Sequence, residues 1–213
     1  VKRRAIGASF LVIGVAACGP PAPVVLIDRA QSIRAEQYDE VLDRWTRERE
    51  LIDWEAGLES RVAVTTTYYA PEFRRAYVAR YARAASLPEP ETARMLATSL
   101  SAGAGEHEFF VTLAAQSPRW GALERSDGAW RVRLIDDRGR EHVPRRIERF
   151  RAPTPTDRAM FYYWTPWRAV YRVRFAATDE AGRPVLGPDT RRFALRLAGA
   201  YGTVDLRWDV RAP

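Results

Sequence analysis

The chain of 213 residues has one cysteine, Cys18, and two histidines, His107 and His142. A lone thiol closes no internal disulfide, so the fold must rest on packing. Lysine is as scarce: Lys2 is the only one among 34 basic residues, so the positive charge is almost entirely arginine. The apolar run ahead of Cys18, residues 5–17, is shorter than the roughly 20 residues a helix needs to cross a hydrocarbon core. Reaction motifs are missing as well. His107-Glu108-Phe109-Phe110-Val111 opens like a zinc-protease helix but lacks the second histidine one turn on, and its alternation marks a strand. A site joining His107, Glu106 or Glu108 and His142 would need tertiary convergence. No serine sits in a nucleophile elbow, and no glycine loop is built to cradle phosphate. With 27 acidic residues, a carboxylate pair for glycoside cleavage stays open, but none is singled out. No cofactor and no metal site is expected.

What is present begins with Lys2, Arg3 and Arg4, the apolar run 5–17, and the small-residue close Val15-Ala16-Ala17-Cys18-Gly19. Basic start, short apolar middle and small residues at the end make an export signal. Val15 to Cys18 resembles the lipobox of bacterial lipoproteins, with valine where leucine is usual. The resemblance is confined to this segment. It implies cleavage after Ala17, thioether diacylation of Cys18, acylation of the new amino terminus, and a location at the bacterial cell envelope. Gly19 in place of aspartate favours the outer membrane over the inner one. Residues 1–17 are then the signal peptide, and 18–31 the acylated cysteine and a Pro-rich linker, stiff and extended across Gly19-Pro20-Pro21-Ala22-Pro23. Removal of 1–17 lowers the formal net charge from +7 to +4, since three basic residues leave. Arginine richness and a high pI do not make a nucleic-acid footprint in an exported chain, and no nucleic-acid partner is expected.

The segment 32–57 reads as an amphipathic helix, with Tyr38, Val41, Leu42, Trp45 and Ile52 on one stripe and Glu40–Arg44 and Asp43–Arg47 pairs on the other side. Residues 58–213 read as a β-domain with a helical insertion at about 71–105. A strand carries Val62, Val64, Thr66 and Tyr68. Pro71 opens a helix with Phe73, Tyr77 and Tyr81. A second helix starts near Ser86-Leu87-Pro88-Glu89, which resembles a capping box, bears Met95, Leu96 and Leu100, and is ended by residues 101–105. Alternating runs follow at Phe109 to Leu113, Trp130 to Leu134, Val143 to Ile147, Tyr171 to Phe175, Phe193 to Leu197 and Val204 to Val210. Turn signals at 136–139, 179–184 and 199–202 separate them. The expected fold is mainly β with added helices (α+β): a seven-stranded antiparallel sandwich, immunoglobulin-like in architecture only, or alternatively a small β-barrel.

Two surfaces stand out. Residues 151–167 hold Phe161, Tyr162, Tyr163, Trp164 and Trp167 among prolines, rings suited to stacking on sugars or contacting a protein, or else to covering an open end of the core. Arg131, Arg133, Arg172, Arg174, Arg192, Arg196 and Arg207 alternate with core positions and would face solvent, able to hold phosphate or carboxylate groups if they share one sheet. The expected function is a non-catalytic scaffold or accessory binding module, anchored to the membrane by lipid and partnered with an envelope protein. A binder of anionic lipid or polysaccharide and a hydrolase of cell-wall material are the alternatives.

Overall fold

The computed structural model describes residues 21–26, 32–53, 59–117, 120–150 and 154–211; the signal segment and Cys18 lie outside them. A 3-10 turn at Ala35–Gln37 leads into α1, Tyr38–Trp45, which buries Tyr38, Val41, Leu42 and Trp45. The expected Glu40–Arg44 pair forms at 2.7 Å. The helix does not continue through 57. Thr46 turns extended and its hydroxyl donates to the Leu42 carbonyl; Thr46–Asp53 is strand β1, paired antiparallel with β2, Glu59–Tyr68. Thr-Arg-Glu-Arg-Glu carries no apolar helical stripe, and a full backbone ladder outweighs its weak helical preference. Arg47 is consequently buried, donating to the carbonyls of Arg44, Thr46 and Arg207 instead of facing Asp43.

Pro71 occupies the first turn of α2, Pro71–Ala84. Ser86, expected to cap the next helix, instead has φ 51 and closes α2, with Leu87 N donating to the Ala82 carbonyl. α3, Glu89–Gly105, starts after Pro88 without a side-chain cap, has no fully buried residue and runs on through the small residues expected to end it. One of these is needed small: a Cβ at Gly103 would lie 2.8 Å from Arg74 Nε.

The remaining elements are β3 (Glu106–Ala115), β4 (Trp130–Ile135), β5 (Glu141–His142), β6 (Arg146–Phe150), α4 (Pro155–Met160), β7 (Ala169–Ala176), β8 (Arg192–Gly199) and β9 (Gly202–Asp209). They form two antiparallel sheets, one ordered β1-β2-β3-β7-β6 and the other β5-β4-β8-β9. Among the described residues there are thus nine strands where seven were expected, and the sheets do not close into a barrel. The irregular 143–147 run is the reason for one extra strand: Pro144 follows β5, and the chain crosses to the other sheet as β6.

The inner faces meet through aromatic side chains. Tyr68 lies edge-on to Phe193 at 5.2 Å, and Phe193 stacks on Trp208 at 4.9 Å. The two outer faces differ. Tyr69, Phe73 and Phe161 pack together over the five-stranded sheet, so β3 is buried continuously from His107 to Leu113. β9 alternates buried and exposed instead, as expected of a strand with one face in water. The edge of β9 is met from within the segment expected to be a linker: Val24 pairs parallel with Val210, its N–H donating to the Asp209 carbonyl and its carbonyl accepting from Arg211 N, both at 2.8 Å.

Candidate functional site

The aromatic segment is anchored from Thr154 on. Thr154 caps α4, its hydroxyl accepting from Asp157 N at 3.1 Å while the Asp157 carboxylate accepts from Thr154 N at 3.0 Å. The chain then delivers Phe161 onto Phe110, stacked at 3.9 Å and 11°. Tyr163 is buried with its hydroxyl hydrogen-bonded to the Thr67 hydroxyl. Trp164 is half-buried against Phe110 and Phe150. These three rings cover the outer face of the five-stranded sheet. The other two point away: Tyr162 is 68% exposed and Trp167 84%. Beside them Arg149, Phe150, Arg158, Trp164 and Arg168 line an open cleft of ≈ 510 Å³. Arg168 reaches back to the Thr65 hydroxyl and to Glu48, and Arg149 lies 3.7 Å from Glu124.

The seven arginines divide between the sheets. Arg131, Arg133, Arg192, Arg196 and Arg207 share the open outer face of the four-stranded sheet, where Arg133 is opposite Arg196 and Arg196 opposite Asp205. Asp205 accepts from Arg196 at 2.7 and 3.0 Å and from Arg207 at 2.9 Å. The Arg196 hydrogen bond is the chief reason its carboxyl pKa is held down to about 2. Glu141 lies 3.4 Å from Arg196 and 3.9 Å from Arg133. Arg172 and Arg174 belong elsewhere. They project from β7 onto the covered face of the other sheet and neutralise carboxylates: Arg172 is 3.3 Å from Glu108, Arg174 2.8 Å from Glu148, and Arg74 from α2 closes on Glu108 at 3.0 Å.

The histidines do not converge on a common carboxylate. His107 faces the inter-sheet core while Glu106 and Glu108 face the opposite side, because adjacent strand residues alternate. Its Nδ1 is 3.0 Å from the Tyr68 hydroxyl. Burial, with smaller contributions from His142 and Arg74, pushes its pKa down to about 4. His142 lies with Nε2 3.2 Å from Asp136. Among the described residues no group of three His, Cys, Asp or Glu side chains is arranged to hold a metal ion.

Two turns share a construction that reading them as turns alone did not show. Asp136 to Arg140 and Asp179 to Arg183 both follow Asp-x-x-Gly-Arg. In each, one aspartate oxygen accepts from the N–H groups two and four residues on, the other accepts from Nε of the closing arginine, and the glycine has a φ near +77 (Gly139 78, Gly182 75). Arg140 also lies 3.5 Å from Asp179, tying the two turns together. Burial works to raise the Asp136 pKa, but the hydrogen bonds from Arg140, His142 and Arg138 prevail and hold it below the ordinary value. The signal for the pair is the fixed offset from aspartate to glycine to arginine.

No protein-family model and no curated protein matches the chain. A solved structure from Burkholderia pseudomallei, titled a novel protein of unknown function, is similar at 14% identity and a TM-score of 0.40, over 87% of this chain and 94% of that one.

Proposed function

We propose that the protein is a lipid-anchored, non-catalytic scaffold of the bacterial cell envelope, with immunoglobulin-like layering, that contacts another envelope protein through Trp167 and Tyr162. The anchor reading rests on the sequence around Cys18. The contact reading rests on one observation above all: Trp167 is 84% exposed on a segment whose neighbouring rings are locked into the core. A large ring presented on a rigid base buries much area at little entropic cost, which is the usual character of an interface anchor. The test is a pull-down of the lipidated protein from its own envelope, comparing the native chain with Tyr162→Ala plus Trp167→Ala. Because both side chains are exposed, the variant should keep its fold, checked by circular dichroism. Loss of a defined protein partner from the variant supports the reading; an unchanged set of partners removes it.

A second reading has its own support. The cleft beside Trp167 is lined by Arg149, Arg158 and Arg168 together with Trp164 and, among the described residues, by no acidic side chain. Guanidinium groups beside an aromatic ring suit a sugar bearing carboxylate or phosphate. Calorimetric titration with an acidic oligosaccharide should show binding that Arg158→Ala weakens, and equal heats for the two chains would count against it.

A further inference from the structure

The linker after Cys18 does not hang free of the domain. By Ala22 the chain is already held, its carbonyl accepting from Arg47 at 3.4 Å, and Val24 is hydrogen-bonded on both sides to the end of β9. From Cys18 to Ala22 is four Cα steps, at most about 14 Å however the chain runs. A lipid on Cys18 therefore keeps the β9 edge near the bilayer, with a tether of less than two Debye lengths of about 8 Å each.

The surface bordering that edge is the outer face of the four-stranded sheet, over which no helix packs among the described residues. Arg207 is exposed on the edge strand β9 and Arg192 on its neighbour β8, and Arg211 continues β9 past its last pair. With Arg131, Arg133 and Arg196 the face holds six positive charges against Glu141, Asp205 and Asp209. An extended, basic sheet face held beside a membrane by an acylated tether has the charge to sit on acidic headgroups.

We infer that the open face of the four-stranded sheet docks on an anionic lipid surface, leaving the helices and the aromatic segment turned toward other partners. The inference rests on the lipid-anchor reading of Cys18. It is tested on the full, lipidated protein in vesicles of phosphatidylcholine with or without phosphatidylglycerol, and on native envelope, by arginine-selective dicarbonyl labelling read by mass spectrometry.

Docking predicts that Arg131, Arg192 and Arg207 label about fivefold or more slowly on the anionic vesicles than on the neutral ones, that added salt removes the difference, and that Arg94 on α3 labels equally on both. Arg192→Glu plus Arg207→Glu should restore fast labelling of Arg131. Equal rates on the two vesicle types, with the acyl groups present on the Cys18 peptide, overturn the docking and leave the anchor standing. A Cys18 peptide without acyl groups overturns both. Protection on native envelope but on neither vesicle assigns the face to a protein partner and likewise overturns docking on lipid.

Discussion

The two sheets are built from the same kind of strand, yet they treat charge in opposite ways. The five-stranded sheet is covered on both faces along β3, where Glu108 and the Arg74 that reaches it from α2 have side chains only 9% and 4% exposed, while Arg174 on neighbouring β7 is 22% exposed and pairs with Glu148. The four-stranded sheet is covered on one face, and on the other Arg207 keeps most of its contact with water, 72% exposed, even as it pairs with Asp205. Burial, more than sequence, decides whether an arginine here is a structural counter-ion or part of a surface. A charge removed from water must be paired, since an unpaired one costs several kcal/mol, whereas an exposed pair is worth little.

The sharpest way to break this contrast is to remove one carboxylate from each sheet. Glu108→Ala should destabilise the protein by about 3–5 kcal/mol in urea unfolding, because it strands Arg74 in a buried site. Phe110→Ala should cost a similar ~3–5 kcal/mol by opening a cavity beneath Phe161. Losses below about 1 kcal/mol for both would mean that the covered face is loosely packed.

His107 gives the next effect, through pH. The unfolded chain takes up a proton at this histidine below about pH 6.5, while the folded chain does so only near pH 4. Stability should be full above the upper value, decline by roughly 3 kcal/mol as pH falls through the interval, and level off with respect to this group below it. His107→Gln should flatten that decline; an unchanged slope would show that other groups carry it.

On the open sheet, Asp205→Asn should cost only on the order of 1 kcal/mol at neutral pH, for its partners are well hydrated. Its contribution is present above the ordinary aspartate pKa and is lost as pH falls toward about 2. A loss as large as that of Glu108→Ala would erase the distinction between the sheets. Smallest of all, Trp167→Ala should change stability by no more than about 0.5 kcal/mol, and a larger loss would place that ring in the fold and not at an interface.

Much of this architecture is written in local periodicity. Val132 and Leu134, Leu195 and Leu197, and Leu206 and Trp208 all lie in the core where alternation puts them, since a strand with one wet face must alternate. Pro71 starts its helix for a reason equally local, its missing N–H being no loss in the first turn. Thr46 to Asp53 was not legible in this way. Its sequence is charged and follows directly on a helical stripe, and it is a strand because β2 lies beside it with free backbone groups. The same limit applies to the aromatic segment. Periodicity cannot tell Phe161 or Tyr163, which the Phe110 and Thr67 side of the sheet receives, from Trp167, which stays exposed.

The sequence by itself therefore determined the mainly β character, the helical insertion between β2 and β3, and a disulfide-free core, all properties of neighbours along the chain. The tertiary structure decided which sheet has a covered face, and so which arginines are counter-ions and which form a surface. It also fixed which rings of one aromatic run remain in water, and how soon after Cys18 the chain is bound to β9. Each of these depends on groups far apart in sequence meeting at a distance of a few ångströms, and burial and pairing energies exist only once they have met.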